Sequence, residues 1–578
     1  MINGAPLNSG PLNTLRVGVA PQPGPEYRVH GTSYVWRVRL LVGGVDMTAI
    51  LTGQLDVDRE EGAAAVAGFS LYLAAGQPVL PHAWIGQAVT LDYISRDRYG
   101  AVTEARLYTG LLELPTWDAT SRVLSCECSD QLQQRIEGLT LEQIDTLCGG
   151  YWSADVFEPV DGRSHWDYAG ERMSTRAASL DADTYGNLRT TSWYAAGTPH
   201  FVFGPGQTLD GSVQLELQAH GGTTNYVEIT LDYRYSRLWQ ANQSFGWTHP
   251  ETDGATGIPG FCNWRTYSTE LPTTEMIESA ITGSGLALIG RVGGTQLPMS
   301  MANPCGNGIP WINSFPGLWL IATATGARRW VQTVTEKYSL VLHTPLGESE
   351  ATRVISRDSA SFEIENSRTD DWEGEPPNGQ GRQEDLADNA RRVAALECLL
   401  HRGSTTLVSA HRGTTLSFQV PTDMALNIDL VHTLQVADKA TSTGKCRRIQ
   451  HVLDLGSGTA ITTLDLAVMQ GGGVSDPLTI PAAPDTSLPN PSGGGGLLGT
   501  QLGGRLNNPV TGLPIPPYDE NRLGFSGNWS VADDTSAEQF PRRFDVEARE
   551  IPEQYRDERT ATASATYRVG IPNDPLEL

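Results

Sequence analysis

Apolar residues recur at every second position over much of this chain, and that period decides what it can fold into. Val89, Leu91 and Tyr93 alternate with polar neighbours, and comparable runs lie at 34–42, 66–73, 105–114 and 122–128. Alternate side chains of a strand point to opposite faces, so such runs bury one face of a sheet. Turn residues separate them at short intervals. The pattern predicts a β-barrel or sandwich over residues 27–150. Near its end, Leu132, Ile136, Leu139, Ile144 and Leu147 recur at helical intervals behind Ser129-Asp130, which predicts a capped helix over 131–148.

A second strand set starts near Trp330, at 331–335, 338–343, 351–356 and 361–364. A helix is predicted over 384–402, with Leu386, Ala390, Val393, Leu396 and Leu400 as its apolar stripe and Gly403 as its C′ residue. Strands at 405–410, 415–420, 433–437, 446–455 and 459–468 follow, so residues 328–470 read as a second barrel of the same kind. Between the two, 151–327 is rich in Trp, Tyr, Gly and Thr and reads as an inserted β-rich region with a helix at 274–282. Residues 1–26 carry Asn, Gly and Pro at close intervals and read as an extended arm. Residues 471–517 hold glycine runs and prolines, as a linker does, and 518–578 form a polar docking segment. The fold class expected is mainly β with α+β elements: two barrel or sandwich domains, a large β-rich inserted region and a flexible C-terminal extension.

Charge narrows the function. Among 578 residues, 41 basic side chains face 66 acidic ones, a formal charge of -25. Such a surface does not grip phosphate backbones, but it suits a wall that DNA passes without sticking. No window approaches the ~18 apolar residues of a membrane span. The first residues have neither a basic nor an apolar segment of a signal peptide, so synthesis in a cytoplasm is expected. The seven cysteines, Cys126, Cys128, Cys148, Cys262, Cys305, Cys398 and Cys446, are scattered and odd in number, which argues against a disulfide framework.

The motifs divide between chemistry and shape. Val452-Leu-Asp-Leu-Gly-Ser-Gly-Thr-Ala460 has the look of a methyltransferase cofactor loop, which needs a strand, a glycine turn and a helix. Here Ala460, Thr462, Leu464, Leu466 and Val468 continue at period two, so the glycines read as a hairpin turn and no cofactor is expected. Asp181-Ala-Asp-Thr-Tyr-Gly-Asn187 has the start of a calcium loop but Ser192 where the bidentate Glu is needed, and reads as a turn. Cys126, Cys128 and Cys148 are the alternative ligand set for a metal or cluster. No CxxC pair and no nearby histidine supports it, so buried free thiols and no metal are expected. His401-Arg-Gly and His411-Arg-Gly echo each other without shared geometry, His432 and His451 read as sheet histidines, and no GxSxG elbow occurs. No catalytic residue is nominated, and the chain is expected not to be an enzyme.

Two sets of segments carry a family resemblance. Residues 410–421, 428–434 and 444–468 resemble the last barrel of phage baseplate hub proteins, and the strands around Val35–Val42, Val89–Tyr93 and Tyr108–Leu111 resemble the first. The resemblance spans about residues 27–470. It implies two tail-tube-like barrels per chain and a trimeric ring that adapts a sixfold tail tube to a threefold tip and lines the DNA exit channel. It further implies distal tail, tail tube, tape measure and tail fibre or spike proteins as partners. DNA would pass through the lumen unbound, and the chain would belong to the virion tail tip, assembled in the host cytoplasm. Competing readings are a distal tail protein forming a hexameric ring, a methyltransferase or cell-wall hydrolase, and a glycan-binding β-protein.

Overall fold

The computed structural model describes residues 35–248, 271–296, 318–364, 382–501, 519–527 and 541–577, apart from 77, 98, 492 and 493. The arm expected at 1–26 lies outside the described residues, as do Cys262 and Cys305.

The alternating runs of the first segment form β1 (Val35–Val42), β2 (Val45–Asp46), β3 (Leu51–Glu60), β4 (Val66–Tyr72), β5 (Ala88–Arg96), β6 (Val102–Asp118) and β7 (Val123–Ser129). Their inward residues, among them Leu40, Leu55, Val57, Leu71, Leu91 and Leu124, make one core. The helix expected over 131–148 is two helices, α1 (Leu132–Glu137) and α2 (Leu141–Cys148). A capping box breaks it: Thr140 Oγ1 accepts from the Gln143 N–H and Gln143 Oε1 accepts from the Thr140 N–H. Helix α3 (His165–Ser174) and the hairpin β8 (Ala178–Ala182) and β9 (Leu188–Ser192) follow. The β8–β9 turn is held by Asp183, whose carboxylate accepts from the Tyr185 and Asn187 N–H groups.

Next come short strands β10 (Phe201–Phe203) and β11 (Gln214–Glu216), then β12 (Tyr226–Thr248), α4 (Thr274–Gly283), β13 (Ala287–Gln296), β14 (Trp319–His343), β15 (Ile355–Glu363), β16 (Arg382–Asp385) and α5 (Asn389–Ala410). The remaining elements are β17 (Thr414–Pro421), α6 (Thr422–Ala425), β18 (Thr433–Ala437), β19 (Thr441–Asp454), β20 (Thr459–Val468), β21 (Gly495–Thr500), β22 (Gly524–Ser526), β23 (Arg543–Asp545), β24 (Arg559–Arg568) and β25 (Leu576–Glu577).

Two large sheets organise them. The first runs β11-β17-β20-β19-β3-β4-β7-β6-β5-β1-β2, with β18, β10 and β25 attached beside β19. Its two halves come from opposite ends of the chain and meet where β19 pairs antiparallel with β3, Val57 opposite His451 and Leu55 opposite Leu453. The second half packs its own core from Leu416, Phe418, Val420, Leu434, Val436, Leu464 and Leu466. The second sheet is built on β12 and β14, antiparallel over their whole length, with β15, β16 and β21 on the far side of β12 and β13 and β24 on the far side of β14.

This arrangement corrects several expectations. The runs at 331–335 and 338–343 are parts of β14, and the boundary expected between residues 327 and 328 falls inside that strand. Strand β14 pairs with β12 of the region expected to be an insertion, because both strands present alternate apolar residues to one core with α5. Residues 405–410 are helical, and Gly403 lies inside α5, not beyond it. A Cβ there would stand 2.9 Å from Ile229 Cδ1, so the glycine serves close packing of helix on sheet. Of the linker expected at 471–517, residues 471–491 have no regular structure yet are fastened down. Leu478 and Ile480 pack on the β12–β14 core, and Tyr567 Oη and Arg237 Nη1 donate to the Thr479 and Thr486 carbonyls. The final segment docks on its own chain, β24 lying parallel to β14 and β25 antiparallel to β19.

Candidate functional site: the junction of the two halves and its polar face

The glycine stretch is the tip of the β19–β20 hairpin. The Asp454 carboxylate accepts from the Gly456 N–H at 2.8 Å and the Ser457 hydroxyl at 2.7 Å, and Gly458 takes φ +71°, open to glycine without strain. The tip belongs to the first barrel as well as the second. Leu453 lies within the core of the first strand set, and Leu455 and Ala460 pack against it. Trp36 Nε1 donates to the Gly458 carbonyl at 2.9 Å, which closes the open side of β1 onto the hairpin.

Toward the other end of the β3–β19 ladder lies a buried ionic junction. Arg59, only 2% exposed, donates through Nη2 to Asp429 Oδ1 at 2.8 Å and to the Ala182 carbonyl at 3.0 Å. Arg189 holds the same carboxylate from both terminal nitrogens, at 2.6 and 2.9 Å, and turns its Nε to Asp181 at 2.8 Å. The first half, the β8–β9 hairpin and the second half therefore share one charge network. Burial alone would raise the Asp429 carboxyl, but the Arg189 hydrogen bonds and the Arg59 charge outweigh it and pull it down to about 2. Asp181 has fewer partners, and burial raises it. Alongside, Arg412 pairs with Glu61 at 2.6 Å and lies over the Trp193 ring at 4.8 Å. Burial pushes the Glu61 carboxyl up against the lowering effect of Arg412.

The outer face of the joined sheet carries one polar row across the seam, beside an apolar pair of Val452 and Ile461. The register sets Gln419 beside Thr463, Thr463 beside Gln450 and Gln450 beside Asp58. One row over, Asp56 stands opposite Gly68, and Gly68 opposite Glu127. The Asp56 side chain lies across Gly68, where a Cβ would come within 2.8 Å of its Oδ1. Half-burial raises the Asp56 carboxyl, and the neighbouring Asp58 and Glu127 charges add to it. Arg448 donates from Nε to Asp58 at 2.8 Å and stands 3.9 Å from Asp465, while Arg447 lies 3.6 Å from Glu60. Arg447 and Arg448, beside the seam, are thus occupied by carboxylates, and Asp56 and Glu127 add negative charge beyond them.

The structure does not bring the candidate thiols together. Cys126 and Cys128 lie on β7 in the first core, whereas Cys148 ends α2 in a separate cluster with Tyr168 and Leu180. Burial pushes the Cys126 thiol up to about 12 and Cys148 up to about 11, and raises Cys128 as well, which disfavours the thiolates a metal needs. Among the described residues, no group of three His, Cys, Asp or Glu side chains is placed to hold a metal ion.

The histidines are also apart. His401 stacks on Tyr151 at 4.1 Å, His411 caps α5 with Nδ1 on the Leu407 carbonyl, and His432 rests beside His200. His451 is buried on β19, its Nδ1 2.8 Å from Thr462 Oγ1, and burial with the nearby Arg59 charge pushes it down to about 3. Sequence reasoning missed Arg59, Arg189 and Asp429. One signal was available: Arg59 shares the strand parity of Leu55 and Val57, so a charge falls where an apolar residue belongs.

No family model matches the chain, and no curated protein matches it. Among solved structures it is similar to the tail protein from Neisseria meningitidis MC58, at 10% identity over 75% of this chain and 96% of that one, with a TM-score of 0.36. It is similar to the 43 kDa tail protein of prophage MuSo2 from Shewanella oneidensis, at 12% identity over 74% and 98% of the two chains and a TM-score of 0.34. A third is prophage tail protein gp18 from Listeria monocytogenes EGD-e, at 7% identity over 74% and 94% and a TM-score of 0.29.

Proposed function

We propose that this chain is a structural hub protein of a phage tail tip. Three copies form a ring that adapts a sixfold tail tube to a threefold tip and lines the DNA exit channel. The observation that carries the reading is the β3–β19 seam, which fuses two strand sets with separate cores into one sheet under one outer face. Three chains so built supply six barrel-like strand sets, two per chain, the arithmetic a symmetry adapter needs. The face across the seam, with its hydroxyls, amides and excess carboxylates, suits a lumen wall. At physiological salt its carboxylates repel phosphates within about 8 Å, and the guanidinium groups beside the seam, Arg447 and Arg448, are already paired with carboxylates.

On this reading the chain supplies shape and charge, not catalysis. It belongs to the virion tail, assembled in the host cytoplasm, with tube and distal tail proteins on one side, fibre or spike proteins on the other, and the tape measure protein in the channel. Native mass measurement and particle imaging of the full chain test it. A trimeric ring with an open lumen, placed on the tail axis, is expected. A hexamer would favour the distal tail protein instead, and a monomer absent from the tail axis would end the hub reading.

A further inference from the structure

We infer that neighbouring copies of this chain join through β24 of one and β15 of the next, in an antiparallel ladder. The inference rests on the ring reading above and names the edges that close the ring.

Strands β15 and β24 are the outermost strands on opposite sides of the β15-β12-β14-β24 part of the second sheet. Among the described residues, no strand pairs with the far edge of either. Hydrogen bonds fix which backbone groups face outward. The Val569 N–H donates to the His343 carbonyl, so odd residues of this stretch face β14. Arg568 bonds outward, its N–H to Asp476 Oδ2 and its carbonyl from the Asp476 N–H. The N–H and C=O groups of Thr560, Thr562, Ser564 and Thr566 therefore point away from the sheet. On β15 the Ile364 N–H donates to the Arg234 carbonyl and the Val354 carbonyl accepts from β12, so Arg357, Ser359, Ser361 and Glu363 face outward.

An edge of ten residues with no charge between Arg559 and Arg568 lacks the devices that keep exposed strands apart, and such an edge accepts a partner. A second copy fits it. Strand β15 is parallel to β12, β24 is parallel to β14, and β12 and β14 are antiparallel, so β15 and β24 run in opposite directions. A copy added by rotation about an axis along the strands keeps its direction. Its β15 then meets β24 antiparallel, the more stable ladder. The lengths match, nine residues against ten. The register that pairs outward groups sets Thr562 opposite Ser361 and Ser564 opposite Ser359, hydroxyl against hydroxyl, with Arg357 and Glu363 both opposite threonines. Because the two edges differ, the contact is heterologous, and three such contacts close a ring.

The test pairs Ser359→Cys with Ser564→Cys in the full chain under mild oxidation. Directly opposed residues of an antiparallel ladder lie about 4.5–5.5 Å apart at Cα, within disulfide reach. Covalent dimers and trimers are expected from the double variant and none from either single variant. Thr562→Pro removes an outward N–H without touching the β14 ladder, and is expected to leave a folded monomer by sedimentation and circular dichroism. An oligomeric wild type without cross-links, and still oligomeric as Thr562→Pro, overturns this inference and leaves the ring reading standing. Cross-linking by Ser564→Cys alone overturns it in favour of a β24–β24 pair. A monomeric wild type defeats the ring reading itself.

Discussion

Trp36 and Gly458 lie more than 400 positions apart in the chain, yet the indole N–H of one donates to the carbonyl of the other at 2.9 Å. The contact joins the first strand of one barrel half to the hairpin tip of the other. The glycines that resemble a cofactor loop thus make a tight turn whose flanking residues, Leu453, Leu455 and Ala460, complete a core built from the other end of the chain. The β3–β19 ladder beside it carries the same message in backbone form.

Removing the indole donor tests the closure. Trp36→Phe keeps the ring packing but loses the hydrogen bond, and because the contact is exposed it is expected to cost only about 0.5–1 kcal/mol. Gly458→Ala forces a side chain into the left-handed region and is expected to cost about 1–2 kcal/mol. Urea denaturation of both variants measures this. A Gly458→Ala variant as stable as the wild type would remove the turn from its structural role.

The Asp429 carboxylate is the hub of the ionic junction, and its loss leaves Arg59 buried without a carboxylate beside an Arg189 that keeps only Asp181. Asp429→Asn is expected to destabilise the chain by about 3–5 kcal/mol, with part of the loss recovered in the double variant with Arg59→Met. The pH dependence has a definite sign. A carboxyl held at about 2 in the fold, against ~3.9 unfolded, adds stability that is complete above pH ~4. That contribution disappears as pH falls toward 2, and Asp429→Asn should flatten this part of the acid profile.

Helix α5 shows what the sequence could and could not tell. The stripe through Leu396 and Leu400 announces a helix, and the hairpin at 454–459 is legible because period two continues beyond its glycines. Gly403 reads as a stop because glycine usually ends helices, yet here tertiary contact with Val227, Ile229 and Leu342 overrides local propensity. The pairing of β12 with β14 and of β3 with β19 was not legible, since partners far apart in sequence leave no periodic trace. The charged junction escaped for the same reason: Asp429 meets Arg59 and Arg189 only once the ends are folded together. Gly403→Val is expected to push α5 off the sheet and cost about 1–3 kcal/mol, measured as a lowered melting temperature. An unchanged melting temperature would mean the helix has room to move.

His451 gives a second pH signature with its own window. Its imidazole is neutral in the fold and pushed down to about 3, whereas in the unfolded chain it binds a proton near 6.5. The unfolded state therefore takes up the proton first, and stability falls as pH drops from ~6.5 toward 3. His451→Gln removes the titration. The variant should lose less of its own stability between pH 7 and 4 than the wild type does, in urea midpoints taken at each pH. Equal slopes would show that other groups set the acid response.

The polar face makes a prediction about what it does not bind. Glu127, Gln450 and Thr463 lie on the outer side of β7, β19 and β20, on both sides of the seam, and their replacement leaves the cores untouched. Glu127→Lys combined with Gln450→Lys and Thr463→Lys converts a repelling surface into one with free ammonium groups. The wild-type chain is expected to leave duplex DNA unretarded in a gel shift at low salt. The triple variant should retard it, and the retardation should fade between 50 and 200 mM salt, as phosphate contacts do. In assembled tails the same substitutions should slow DNA release without altering ring formation, since the hydrophobic cores and the β3–β19 backbone ladder are unchanged. If the triple variant binds no DNA and release keeps its rate, this face does not line the channel.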